Sequence, residues 1–281
     1  MPPHSPSDKK DLVIGVFFGY DLPVLKPWIR SIKQTGFTGD ICLIALDAET
    51  ALLEQIRGEG VMVVPMRTGP NSPKVIERFL HVFDFLQKQE GKYRFVVFAD
   101  VSDLVFQQNP IPWLEKNLIP SGKKLVAAGE RILVEHEEWN ANEVRKNFGD
   151  YFYNIVKHKE VQCGGVIAGY ADYVRDMCLM VFEMCVRVPY FGADQAAYII
   201  LMSIEPWWSV TLHQTLADAW VLNAQVTSQP DMCDTYEPYL LESRPTFDGS
   251  TVRNADGKPF AIVHQYDRIP EWTNYFTEKY L

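Results

Sequence analysis

Phe95-Val96-Val97-Phe98-Ala99-Asp100-Val101-Ser102-Asp103 is the stretch on which the reading of this chain turns. Five consecutive apolar residues predict a strand buried on both faces, as in a parallel sheet. The run stops abruptly at Asp100. Open α/β sheets bind ligands in the crevice beyond the carboxyl ends of their strands, so the residues after Ala99 form a candidate site by position alone. Neither Asp100 nor Asp103 has a Lys or Arg beside it in the sequence. Their charges call for a cation, and hard divalent ions such as Mg²⁺ or Mn²⁺ take carboxylate oxygen. The plainer alternative is an Asp that caps a turn after a strand.

The chain before this stretch alternates. Leu12 to Phe18 is a continuous apolar run ending at Gly19, and Val24 to Thr35 carries Leu25, Trp28, Ile29 and Ile32 on one helical stripe closed by Gly36. Ile41 to Leu46 reads as a second strand, Ala48 to Glu59 as a helix closed by Gly60, and Val61 to Pro65 as a third strand. The order is β-α-β-α-β. Pro73 suits the first turn of a helix over Val75 to Gln89. Beyond the central stretch, Lys124 to Ala128 reads as a strand and Glu130 to Asn142, with Glu135, His136, Glu137, Glu138 and Trp139, as a surface loop. Gly164 to Ala168 predicts a short strand, Asp172 to Val186 and Asp194 to Met202 two helices, and Trp207 to Tyr239 an aromatic, irregular region. The last apolar run, Phe260 to Val263, ends at His264.

With 281 residues, 47% hydrophobic and 22% charged, the chain fits one large α/β domain over 11–281 after a loose polar start over 1–10. Its 27 Lys+Arg against 36 Asp+Glu give a formal net charge of −9, the wrong sign for binding a nucleic-acid backbone. An acidic protein still holds a nucleoside diphosphate if a divalent cation supplies the positive charge. The five cysteines, Cys42, Cys163, Cys178, Cys185 and Cys233, form no Cys-x-x-Cys pair and are odd in number, which fits a reducing compartment better than a disulfide framework. No apolar run is long enough to span a bilayer and the start carries no apolar signal core, so the expectation is a cytoplasmic protein.

Four further groups are candidates. His264 would offer imidazole to Mn²⁺ as a third ligand, or is a satisfied or exposed histidine, one of six. Gly164-Gly165, after Gln162-Cys163, permits close approach of backbone to a ligand, or makes a tight turn. Asp194-Gln195 opens a helix, where Asp is also a good N-cap. Arg78 lies in the helix before the Asp100 strand, placed to reach a phosphate, to neutralise a site carboxylate, or simply to be solvated.

In this order the motifs resemble the GT-A glycosyltransferases, and glycosyltransferase family 8 in particular, over roughly Leu12 to His264. The resemblance implies an α/β GT-A fold, a Rossmann-like mixed sheet flanked by helices with a smaller C-terminal acceptor-side lobe, divided into a nucleotide-binding half over 11–128 and an acceptor-side half over 129–281. It implies transfer, with retention, from a UDP- or GDP-sugar donor to a carbohydrate or glycan acceptor, assisted by Mn²⁺ or Mg²⁺. Phe17, Phe18 and Tyr20 would lie near the base or ribose, and Asp100, Asp103 and His264 at the metal. Cys163, Gly164 and Gly165 would line the donor, and Asp194 and Gln195 would flank the reacting sugar; Arg78 and Ser102 are two further candidates for donor contact. The family's motif is Asp-x-Asp, whereas here Ser102 stands where its second Asp would be. Gln265-Tyr266-Asp267-Arg268 replaces the glycine and lysine usual after the late His. Because sugars pack apolar faces on aromatic rings, Trp207, Trp208, Trp220 and Tyr239 are candidates for an acceptor face, with core packing the alternative for each. Two other readings compete. Val96 to Asp100 also resembles the nucleophile strand of haloacid dehalogenase-type phosphatases, though with Ser102 in place of their second Asp. A nucleotide-sugar-binding module without catalysis is the other.

Overall fold

A computed structural model describes residues 9–69, 73–188 and 190–281. The strands are β1 (Lys10–Phe17), β2 (Asp40–Leu46), β3 (Met62–Met66), β4 (Tyr93–Ala99), β5 (Leu104–Phe106), β6 (Leu125–Ala127), β7 (Gly129–Leu133), β8 (Glu160–Gln162), β9 (Val166–Tyr170), β10 (Thr211–His213), β11 (Val221–Asn223), β12 (Thr246–Phe247), β13 (Val252–Arg253) and β14 (Ile262–His264). The longer helices are α1 (Leu22–Gln34), α2 (Thr50–Gly58), α3 (Lys74–Lys88), α4 (Pro110–Ser121), α5 (Glu138–Val156), α6 (Ala171–Cys185) and α7 (Ala193–Ser203). Three short ones follow, α8 (Trp207–Val210), α9 (Gln225–Ser228) and α10 (Pro230–Tyr236), before the closing α11 (Pro270–Tyr280).

Seven strands make the main sheet, in the order β10-β6-β9-β4-β1-β2-β3. β1 to β4 run parallel, as their continuous apolar runs predict, because helices cover both faces. The stripe Leu25, Trp28, Ile29 and Ile32 of α1 is wholly buried on one face, where Trp28 meets Phe106 edge-on at 5.9 Å. On the other face Phe79 of α3 meets Phe98 edge-on at 5.6 Å. Each such ring withdrawn from water contributes about 1.5–3 kcal/mol. The architecture is the mixed α/β sheet flanked by helices expected from the sequence.

One reversal positions the site. β9 runs antiparallel to β4, pairing Val166 with Ala99, so the chain entering β9, Gly164-Gly165, stands at the carboxyl end of β4. A second, three-stranded sheet, β11-β14-β5, lies beside it. There β14 runs antiparallel to β5 and pairs His264 with Leu104, the residue after Asp103.

Several expectations need correction. Glu130 to Asn142 is no surface loop: it holds most of β7 and the start of α5, and Glu130, Arg131, Glu137 and Asn140 are all buried. Its charges are used internally. Arg131 pairs with Glu160 and Glu242 and donates to the carbonyl of Gln214, while Glu137 accepts from the backbone N–H groups of Trp139 and Asn140 and so caps α5. Trp220 is fully buried and stacks on Trp113 at 4.5 Å, so it is core, not an acceptor surface. The loose start expected over 1–10 lies, for residues 1–8, outside the described residues, and Lys10 already belongs to β1. All five cysteines are free and buried. Among the described residues no helix is long and apolar enough to cross a membrane.

Candidate active site

Asp100 leaves β4, Asp103 enters β5 and His264 ends β14. The β5–β14 ladder thus brings together side chains that the sequence holds far apart. One carboxylate oxygen from each Asp and one ring nitrogen of His264 lie within 4.8 Å of one another. Backbone bonds lock the arrangement: Asp100 N donates to Gly165 O at 2.8 Å, and Gln265 N donates to Asp103 O at 2.7 Å. Gly165 must be glycine, because a Cβ there would stand 2.3 Å from Cε1 of His264. Gln265 takes a left-handed backbone, φ 63°, at the place where the resembled family carries glycine.

The tautomer of His264 follows from its neighbours. The side-chain amide of Asn223 donates to the carbonyls of Ala128 and Gly129, both at 3.1 Å, which fixes its Oδ1 as an acceptor. Nδ1 of His264, 2.9 Å from that oxygen, must therefore carry the proton it donates. Nε2 is left facing Asp103 at 3.5 Å and Asp100 at 3.8 Å. An imidazole buttressed at Nδ1 with Nε2 aimed at two carboxylates is the pattern of a metal-ligating histidine. Burial disfavours the imidazolium, but Asp103 outweighs it and raises the pKa of His264 well above its ordinary value, so without a cation Nε2 carries a second proton that a metal ion would displace. Burial likewise resists the ionisation of Asp103, and His264 overcomes it, holding that carboxyl below its usual range. At Asp100 burial prevails over the attraction of Arg78 and the pKa rises.

Arg78 is the cation missing from the local sequence. Its guanidinium reaches from α3 to bond Oδ1 of Asp100 and, at 3.1 Å, Oδ2 of Asp194. It thus ties the end of β4 to the start of α7. Gln195, the neighbour of Asp194, has its amide fully engaged: Oε1 accepts from Gly164 N at 2.9 Å, and Nε2 donates to Gln162 O at 3.0 Å and Asn140 Oδ1 at 3.2 Å. It braces the glycine turn.

These groups line a cleft of about 370 Å³ that includes Arg78, Asp100, Asp103, Cys163, Gly164, Gly165, Asp194, Gln195 and His264. Four predicted donor residues are not in its lining. Phe17 is closed in the core at 1% exposure, so its ring is withdrawn from any ligand, and Ser102 is half-buried outside the cleft. Phe18 and Tyr20 stack on each other at 6.5 Å nearby in sequence, also outside it. Trp207, Trp208 and Tyr239 do not line the cleft either.

The sequence reading put Glu130 and Trp139 in a surface loop and gave Phe191 and Arg268 no role, yet all four line the cleft. Glu130 is 6% exposed, and burial, with the charge of Glu137 adding to it, raises its carboxyl pKa to about 7. Arg268, four residues after His264, bonds the side chain of Gln225, which also lines the cleft. Its signal was present in the sequence. Asn223 gave none, since only the strand pairing sets it beside His264.

No family model matches the chain, and no curated protein matches it in sequence. Among solved structures the fold is similar to that of mouse xyloside xylosyltransferase 1 in its apo form, with a TM-score of 0.55 over 92% of this chain and 97% of that one. The two share 12% of their residues. The fold is therefore that of the GT-A-like glycosyltransferases.

Proposed function

We propose that this chain is a divalent-metal-dependent glycosyltransferase, similar to family 8, that moves a sugar from a nucleoside diphosphate donor onto a carbohydrate hydroxyl with retention at the anomeric carbon. The observation that carries this reading is the imidazole of His264, held as an Nδ1–H tautomer by Asn223 with Nε2 turned to Asp100 and Asp103. Oxygen and imidazole ligands suit Mn²⁺ or Mg²⁺. Bound there, such an ion supplies Lewis-acid stabilisation to a departing diphosphate. Arg78, largely buried, and Arg268, exposed to solvent, add positive charge in the same cleft. Asp194, anchored through one oxygen by Arg78, is oriented toward the reacting sugar, and Gln195 keeps the Gly164-Gly165 turn in place against the donor. The likeness to a xylosyltransferase supports sugar transfer as the chemistry, and a pentose is one candidate donor sugar.

A phosphatase centred on Asp100 fits less well, because Arg78 already engages one oxygen of that carboxylate and Ser102 lies outside the cleft. The test is a thermal-shift and donor-hydrolysis panel of UDP- and GDP-sugars with Mn²⁺ and with chelator. Metal-dependent stabilisation and slow hydrolysis of one donor are expected. Binding that is indifferent to chelator would remove the metal from this function, and binding without any hydrolysis or transfer would leave a nucleotide-sugar-binding module.

A further inference from the structure

The proposed donor chemistry uses the basic and metal-ligating groups of the cleft and leaves part of its lining without a task. Trp139, in the first turn of α5, and Phe191, in the turn before α7, both line the cleft although they are 39% and 74% exposed. Their ring centroids are 6.2 Å apart and their planes cross at 68°. Large apolar rings left in water at the edge of a polar cleft mark a surface that a ligand covers. The turn that presents Phe191 is built: Gly192 has φ 82°, and a Cβ there would come within 2.6 Å of Glu143 Oε2, so the turn packs against α5 as only glycine allows. Glu130 lines the same cleft while 94% of it is buried, close to the Cys163 thiol, whose sulfur lies 3.6 Å from Nδ1 of His264. A carboxyl committed to so little inside a cleft has capacity for a hydroxyl donor from a ligand.

We propose that Trp139, Phe191 and Glu130 form the acceptor subsite and recognise a neutral pyranose ring, the aromatic rings taking its apolar C–H face and the Glu130 carboxyl bonding one of its hydroxyls. This rests on the glycosyltransferase reading above and gives its acceptor a chemical class. Trp139 and Phe191 offer no charge to a phosphate whereas Arg78 and Arg268 do, so the diphosphate belongs with the arginines and the aromatic pair falls to the uncharged partner.

Saturation-transfer NMR tests this with methyl β-D-glucopyranoside, methyl β-D-galactopyranoside and methyl β-D-xylopyranoside, each in the presence of UDP and Mn²⁺. Saturation should reach the C–H protons of one ring face of at least one glycoside. Trp139→Ala and Phe191→Ala should each weaken its Kd about tenfold, the scale of a lost aromatic contact. Glu130→Gln should weaken the Kd while the same face stays saturated. Tyr151→Ala, which removes an exposed ring of α5 outside the cleft, should bind as the wild type does. Melting curves establish that each variant is folded. Unchanged glycoside binding in Trp139→Ala would overturn the proposal, as would absence of saturation from any of the three glycosides in a protein that hydrolyses a nucleotide sugar. A Trp139→Ala variant that lost affinity for UDP instead would assign the rings to the nucleobase and also overturn it. If the wild type neither bound UDP with Mn²⁺ nor hydrolysed a donor, the glycosyltransferase reading would fail, and face-selective saturation would then still decide the sugar site.

Discussion

Only a hydrogen at position 165 leaves room for the ring of His264. Gly165→Ala should push the imidazole aside, lower stability by about 1–3 kcal/mol as overpacking does, and abolish any rise in melting temperature on adding Mn²⁺. Gly164→Ala is the control, since its Cβ would meet Gln195 at an ordinary 3.5 Å. If both variants kept the same Mn²⁺ response, His264 would not be a ligand. Glu130 gives a pH signature. Its folded pKa of about 7 lies above the ordinary 4.5, so between those values the folded state holds a proton that the unfolded state has released. Stability therefore falls as pH rises through that window, by at most about 3 kcal/mol. Glu130→Gln lacks this slope. Urea denaturation at pH 5 and pH 8 in chelator should show the variant gaining on the wild type at the higher pH, and parallel behaviour would mean that Glu130 titrates normally. Asp100, Asp103 and His264 were legible because each follows or bounds an apolar run, and a polar residue at a strand end is conspicuous. Glu130 was not, since Glu135, His136, Glu137 and Glu138 beside it read as a solvated surface until Arg131 and the cap of α5 are seen to absorb the charge.

Three short strands, β11, β14 and β5, bring His264 to Asp103, beside the end of β4 where Asp100 stands. Asn223, on β11 opposite His264, bonds Nδ1 of the imidazole and leaves Nε2 to the two carboxylates. Asn223→Ala should leave Asp100 and Asp103 in place yet weaken Mn²⁺ binding about 10–100-fold, the usual effect of removing a group that orients a metal ligand. Calorimetric titration with Mn²⁺ alone checks this, and an unchanged affinity would make Asn223 merely structural. Trp220, just ahead of β11, pins that strand to α4 through Trp113. Trp220→Ala should cost about 3–5 kcal/mol as a core truncation and leave acceptor affinity in the surviving folded fraction unaltered. A selective loss of acceptor affinity there would return Trp220 to the acceptor face. The long elements announced themselves through period. α1, β2, α3 and β4 fall within one or two residues of their predicted limits because thirteen or fifteen helical positions, or seven strand positions, repeat a pattern. β5, β8 and β11 span three residues each, too few for any period, and their pairing depends on partners remote in the chain.

Across the whole molecule the net charge of −9 would repel a nucleoside diphosphate, and Arg78 and Arg268 line the cleft beside the proposed cation site, where an ion would offset the carboxylates. UDP and Mn²⁺ together, at about 100 times the Kd, should stabilise the fold by about 2.7 kcal/mol, well beyond the sum of their separate effects. Differential scanning fluorimetry over a grid of both concentrations measures this, and strictly additive shifts would show two independent sites. The reversed strand β9 and the late strand β14 also order events in time. A chain leaving the ribosome has all seven strands of the main sheet once His213 has emerged, but the crevice at the end of β4 stays without its imidazole until His264 follows. Pairings between such distant segments form slowly. A polypeptide released between those two points would hold every strand of the main sheet but neither β14 nor His264, so in the growing chain the scaffold is spelled out first and the candidate cation site last.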